Sequence, residues 1–207
     1  MNRQLYKIFP LPVALIDDFI SEKERLLILE EIITNDHSDH DALNGEASST
    51  HNLGGKVIED LSRKLNIDFI ERVNNEVNEF AGINGLVHES WKQGSSRLMI
   101  DNSWSNIQRK GSTLRRHTHT NSKISGSLYI NVDQDSSKLY FYNPNPYIKQ
   151  EDYETITDCS AVNFSIQPVN SQLVLFPSWL EHGSNEEKNN TDKRVVISFN
   201  SYFYRSK

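Results

Sequence analysis

The sequence has a single cysteine, Cys159, so no intrachain disulfide can form. A reducing, cytoplasmic setting is the expectation that follows. It has no run of about 18 apolar residues, the length a membrane-spanning helix needs. Residues 1–12 lack the apolar core and small-residue cleavage site of a signal peptide. With no secretion signal, Asn163-Phe-Ser165 and Asn189-Asn-Thr191 read as chance matches to the glycosylation pattern. A basic excess is missing too. Lys and Arg number 22 against 28 Asp and Glu, a net charge of −6, which argues against general nucleic-acid binding while leaving room for a local basic groove. No internal repeat and no low-complexity stretch is present. What remains is 207 residues, 36% of them hydrophobic, enough to bury one sizeable core. We therefore expect one domain over 1–207, with a helical part at 1–85 and a β core at 86–207.

Residues 9–16 read as a short apolar strand after a Pro-marked start. Ser21 and Glu24 have the spacing of a capping box, and Leu26, Leu27, Leu29, Ile32 and Ile33 behind them predict an apolar helix face. Residues 35–55 are polar, with Asp36, His37, Asp39, His40 and Asp41, and predict a long loop. Two further helices are expected near 56–65 and 68–80. In the second, Phe69, Val73, Val77 and Phe80 recur at the spacing of one buried face. From Leu86 onward short segments rich in Val, Ile, Tyr, Phe and Trp alternate with Gly, Asn, Asp, Ser and Pro. The expected strands are 98–100, 104–108, 114–119, 125–132, 139–142, 161–167, 172–176 and 194–202. Many short strands at fairly regular spacing predict a sandwich or jelly roll.

Three features point to chemistry. His117-Thr-His119 falls at the end of an expected strand. Side chains two apart share a strand face, about 6.6 Å apart along it, and two imidazoles so placed can converge on one ion at about 2.0–2.1 Å. A solvated strand end explains the pair equally well when it is taken alone. His182 follows the apolar strand and turn Leu173-Val-Leu-Phe-Pro-Ser-Trp-Leu-Glu. A jelly roll can bring this late histidine beside the early pair, completing a facial site with positions open to other ligands, as suits Fe(II) oxygenases. Arg194 opens the apolar run Arg194-Val-Val-Ile-Ser-Phe-Asn-Ser-Tyr202, which should form a strand antiparallel to the one ending at Phe176. An arginine there can reach inward, and its planar fork suits a carboxylate. Arg109, Lys110, Arg115 and Arg116 make a local basic cluster, read as solvated strand ends. His37 and His40 read as loop residues. Tyr140, Phe141 and Tyr142 read as strand core, and the excursion from Tyr142 to Asp158 as a candidate lid.

Taken together, Trp104-Ser-Asn106, Gly111, His117-Thr-His119, Ser125-Gly-Ser-Leu-Tyr129, Phe176-Pro-Ser-Trp-Leu-Glu-His182 and Arg194-Val-Val-Ile-Ser-Phe-Asn200 resemble a family of 2-oxoglutarate–Fe(II) oxygenases found in bacteria and bacteriophages. The resemblance runs from Trp104 to Asn200. It implies a mainly β fold with flanking helices, a double-stranded β-helix of the jelly-roll, cupin-like kind. It implies Fe(II) and 2-oxoglutarate as cofactors, and oxidation of an unactivated C–H bond, a hydroxylation, on an unidentified small-molecule or peptidyl substrate. His117 and His182 take the two histidine ligand positions, Arg194 pairs with the distal carboxylate of 2-oxoglutarate, and Tyr129 donates a hydrogen bond to it. The chain departs from the pattern at His119, where most members of the superfamily carry Asp or Glu. Two other readings accompany this departure: a three-histidine dioxygenase that needs no 2-oxoglutarate, and a site in which only His117 and His182 bind the metal and a ligand position stays open. A non-catalytic cupin-like metal-binding module is a further alternative.

Overall fold

The computed structural model describes residues 4, 10–35, 37–88, 97–157, 159–184 and 187–204. Phe9, Asp36 and Asp158, each part of an expectation above, lie outside them. In chain order the elements are β1 (Ala14–Ile16), α1 (Glu22–Thr34), β2 (Leu43–Asn44), β3 (Ala47–Ser49), α2 (Val57–Leu65), α3 (Phe69–Ile83), β4 (Arg97–Gln108), β5 (Thr113–Leu114), β6 (Ile124–Asn131), β7 (Leu139–Tyr142), β8 (Asn163–Ile166), β9 (Leu173–Pro177), β10 (His182–Gly183) and β11 (Arg194–Tyr204).

Six strands form the main sheet in the order β1-β9-β6-β11-β4-β3, and three form a smaller sheet in the order β10-β7-β8. Every pairing in them is antiparallel. The main sheet is buried on both faces, and its period-2 alternation decides what each face meets. Ile124, Leu128 and Ile130 of β6, Leu173 and Leu175 of β9, and Val195, Ile197 and Phe199 of β11 pack with the helices around Ile28, Ile58, Phe69, Val73 and Val77. The intervening residues Tyr129, Val174, Phe176 and Val196 turn the other way and pack with Leu139, Phe141 and Ile166 of the smaller sheet. Strands covered on both sides read as continuous apolar runs, as Leu173-Val-Leu-Phe does. Gly126 sits where a Cβ would fall 2.3 Å from the Phe199 ring, so the packing of β6 against β11 requires its lack of a side chain.

The expected helices form close to their bounds, and the capping box at Ser21 and Glu24 is present in both directions. The buried stripe of α1 differs from the expectation. Arg25, Ile28 and Ile32 face inward, while Leu26, Leu27 and Ile33 are exposed. Arg25 fixes that rotation. Its Nη1 donates to the Ile130 carbonyl at the end of β6 (2.7 Å), and Glu22 holds the other side of its fork. The expected loop at 35–55 is also more ordered than its polarity suggests: it contributes β2, which pairs with β5, and β3, which extends the main sheet at β4. The sequence predicts the last strand antiparallel to the one ending at Phe176. Instead β6 lies between β11 and β9 and is antiparallel to both, so β11 and β9 run the same way. Of the expected strand 114–119 only Thr113–Leu114 is regular, with an isolated bridge further on at His117. Among the described residues, no helix is long and apolar enough to cross a membrane.

One polar device in the core supports the sheet that carries the site. β3 covers the outer edge of β4 only at Asn106–Gln108, leaving its first half open there. Two buried asparagines of α3 substitute for the missing strand. Asn78 accepts from the Leu98 N–H and donates to its carbonyl, both at 2.8 Å, and Asn74 accepts from the Ile100 N–H at 2.9 Å. Asn78→Ala strands a buried N–H and a buried carbonyl, and should lower unfolding stability by about 2–4 kcal/mol. The expected readout is a lower urea midpoint with an unchanged slope.

Candidate metal centre and anion cradle

The paired histidines sit where the segment before β6 meets β10, at the edge of the smaller sheet. The His117 N–H donates to the His182 carbonyl (2.9 Å) and the His182 N–H donates to that of His117 (3.0 Å). On one side of this pair the Ser184 N–H reaches the Leu114 carbonyl at 2.8 Å, and on the other the His119 N–H reaches the Ser178 carbonyl at 3.0 Å. Residue 183 must pass very close to the opposite backbone. A Cβ there would lie 2.9 Å from the Leu114 carbonyl oxygen and 3.0 Å from the Arg116 backbone, so Gly183 permits the approach.

This pairing brings the three imidazoles together. Ring centroids are 4.4 Å apart for His117 and His182, 4.9 Å for His117 and His119, and 5.1 Å for His119 and His182. One nitrogen from each can be chosen so that all three lie within 4.8 Å of one another, close enough for small ring rotations to bring them onto one ion. The Nδ1 of His117 lies 2.7 Å from the Arg115 carbonyl and the Nδ1 of His182 lies 2.9 Å from the Leu180 carbonyl. A carbonyl can only accept, so Nδ1 carries the hydrogen in both rings. Each Nε2 is then left with its lone pair toward the cluster, the arrangement that orients metal-ligating histidines.

Burial pushes all three histidines below their usual range, and their neighbours' charge adds to it. His119 is pushed down to about 3. All three are therefore neutral near pH 7, as metal ligands must be. His182 also packs against the Phe176 ring, with centroids 4.5 Å apart, and is only 4% exposed, so it belongs to the inter-sheet core as well as to the cluster.

The histidines stand at one part of a cavity of about 130 Å³ between the sheets. Sheet alternation supplies much of its lining: Trp104, Asn106 and Gln108 from β4, Ser127 and Tyr129 from β6, Arg194, Val196 and Ser198 from β11. Arg194 is 5% exposed, and its Nη1 donates to the Gln108 Oε1 at 2.5 Å. Among the described residues no carboxylate pairs with it, and its Nε has no partner. Burial accordingly pushes its pKa down, opposed only by Tyr129. The Tyr129 ring centroid lies 5.4 Å from the guanidinium carbon, and its buried hydroxyl likewise has no partner. A buried cation costs several kcal/mol unless an anion meets it. This end of the cavity therefore fits an anionic group, and the histidine end fits a divalent metal.

The sequence places His117, His119, His182, Arg194 and Tyr129 in one site, and all five line this cavity. It missed His40 and His51, which reach the same cavity from the expected loop. There the rings run in file: His40 to His51 at 4.4 Å, His51 to Trp104 at 4.9 Å, Trp104 to His119 at 5.9 Å. Gln108 was missed as well. Its signal was its place four residues after Trp104 on one alternating face. Two of the four residues of the basic cluster make ion pairs, Arg109 with Glu46 at 3.0 Å and Arg116 with Glu181, the latter also over the Tyr142 ring. The excursion after Tyr142 contributes nothing to the cavity lining among the described residues.

Several solved structures share this architecture. The chain is similar to an oxidoreductase of the 2OG-Fe(II) oxygenase family from Burkholderia pseudomallei, at 9% identity over 92% of this chain and 85% of that one, TM-score 0.63. It is similar to HygX from Streptomyces hygroscopicus, crystallised with nickel, 2-oxoglutarate and hygromycin B, at 11% identity over 93% and 83%, TM-score 0.61. A Pseudomonas putida prolyl-4-hydroxylase matches at 13% identity over 95% and 94%, TM-score 0.55. The fold is thus the double-stranded β-helix of these oxygenases. No curated protein sequence matches the chain. Residues 102–200 match the family model described as "Putative 2OG-Fe(II) oxygenase", a description that names Fe(II) and 2-oxoglutarate.

His117→Ala should lose bound iron, measured as metal per chain after anaerobic loading, at little cost in stability. His182→Ala should lose iron and also lower stability by roughly 1–3 kcal/mol, because it empties a packed position beside Phe176. Gly183→Ala keeps every ligand but separates the two backbones, and should weaken iron binding at least about tenfold, since metal sites tolerate little displacement of their ligands.

Proposed function

We propose that His117, His119 and His182 hold one Fe(II) through their Nε2 atoms, and that Arg194 and Tyr129 receive the distal carboxylate of 2-oxoglutarate. The observation that carries this reading is the buried, carboxylate-free guanidinium of Arg194 in the same cavity as three neutral imidazoles. Bound there, Fe(II) and 2-oxoglutarate supply the oxidation of a C–H bond by dioxygen, with succinate and CO2 as coproducts.

The chain's own contributions are orientation, charge and exclusion of water. The Arg115 and Leu180 carbonyls hold the two ring hydrogens that aim His117 and His182. His119 takes the place that a carboxylate fills in most of the superfamily. Three neutral ligands leave the full charge of a divalent ion uncompensated by the protein, which favours an anionic chelating cosubstrate. Arg194 then balances the far carboxylate where water is excluded. His40, His51 and Trp104 line another wall of the cavity, where the primary substrate would approach. We read that substrate as a small molecule or a peptidyl group hydroxylated at an unactivated carbon. We also read 1–207 as one domain, since strands of the N-terminal part form both edges of the main sheet. A cytoplasmic location is supported by the lone, exposed Cys159.

Titrating 2-oxoglutarate into the anaerobic Fe(II) protein should raise a metal-to-ligand charge-transfer band. Arg194→Ala removes one partner of a buried charge pair, a loss on the order of 2–5 kcal/mol, or roughly 30- to 4000-fold in affinity. Iron binding should survive, and Arg194→Lys should restore only part of the affinity because an ammonium lacks the fork. No band in the wild type, or equal binding by the Ala variant, would reject the assignment. A dioxygenase that works without 2-oxoglutarate would then take its place.

A further inference from the structure

Gln108 occupies a position that the reading above leaves without a role. It is 1% exposed on β4 and lines the cavity. It is the register partner of Arg194 across the β4–β11 pair, while Tyr129 of β6 flanks β11 from the other side, opposite Val196. Three adjacent strands thus project Gln108, Arg194 and Tyr129 toward one place.

The chemistry of the pair fixes which way the amide points. A guanidinium has only donors, so the atom 2.5 Å from the Arg194 Nη1 must be the amide oxygen. The Gln108 Nε2 therefore points elsewhere, and in this buried setting it has no partner among the described residues. The Arg194 Nε and the Tyr129 hydroxyl are without partners too. All three can donate, and the guanidinium offers no acceptor. A group that satisfies them together must be rich in acceptors and negatively charged, as a carboxylate is.

We propose that Gln108 is a further binding residue for the cosubstrate: its Oε1 clamps the Arg194 fork, and its Nε2–H donates to the carboxylate that Arg194 binds. This rests on the placement of 2-oxoglutarate given above. An amide suits the role because one end accepts from the arginine while the other donates to the ligand. It also leaves the arginine's charge unspent. A carboxylate at this position would neutralise Arg194 from within and compete with the ligand.

Gln108→Glu is the sharpest test, since it exchanges a donor for a charged acceptor at nearly constant volume. Calorimetric titration of 2-oxoglutarate into the Ni(II)-loaded protein should show affinity reduced at least about 100-fold, as for loss of a buried charge partner. The melting temperature without cosubstrate should stay equal or rise, because the buried guanidinium gains a partner. Weaker binding together with unchanged or greater stability is a combination that a merely structural glutamine would not produce. Gln108→Met, neutral and of similar size, should weaken binding roughly tenfold through loss of one hydrogen bond to a charged group. It carries the test if the first variant fails to fold. Binding by either folded variant within threefold of the wild type overturns the role of Gln108, while tight wild-type binding lost in Arg194→Ala leaves the cosubstrate assignment standing. A wild type that does not bind 2-oxoglutarate removes that assignment and this inference with it.

Discussion

The reciprocal backbone pair between His117 and His182 is the interaction on which the rest of the site depends. Two hydrogen bonds, 2.9 and 3.0 Å, join segments more than sixty residues apart in sequence. They put two ring systems 4.4 Å apart. Neither segment is a long regular strand. β10 is two residues long, and residue 117 makes only an isolated bridge. Their geometry is set by what flanks them: Gly183 against the Leu114 and Arg116 backbone, and the Ser178 carbonyl against His119. A site built this way is positioned by main chain, and the side chains inherit that precision.

The two ends of the cavity place opposite demands on the fold. The histidines are neutral, pushed there by burial and by neighbouring charge, and so cost little in the absence of a metal. Arg194 stays charged in a setting that penalises charge, beside unpartnered donors on Gln108 and Tyr129. Such groups are normally satisfied in protein interiors. Here the helix-facing side of the same sheet carries the stabilising burden, through the continuous apolar packing of β6, β9 and β11 on α1 to α3 and the strand-like bonding of Asn74 and Asn78 to β4. One sheet thus separates stability from binding: its odd and even residues serve different faces.

The segment 37–53 shows how polarity misleads. Aspartates, histidines, serines and a glycine there have the composition of a loop, and much of the segment is irregular. Yet β3 pairs with β4, Thr50 and Ser105 exchange hydrogen bonds, and His51 meets the Trp104 ring edge-on. Order comes from partners distant in sequence, so no local pattern announces it. The same cause rotates α1. Its leucines suggest one buried stripe, and the Ile130 carbonyl at the end of β6 selects another by capturing Arg25.

What the sequence by itself determined was periodicity and chemistry. The spacing of Phe69, Val73, Val77 and Phe80 specified a buried helix face, the capping box specified where α1 begins, and short apolar segments between turn residues specified a jelly roll. The combined motifs, through the family they resemble, pointed to His117, His119 and His182 as candidate ligands and to Arg194 as a candidate carboxylate partner. Tertiary structure decided which of these met. It put β6 between β9 and β11, where the sequence suggested direct pairing. It buried His182 against Phe176, brought His40 and His51 to the cavity wall, and gave Gln108 its place beside Arg194. Those outcomes depend on strand order and register, which are properties of long-range pairing. A sequence encodes them only through the combined packing of the whole chain.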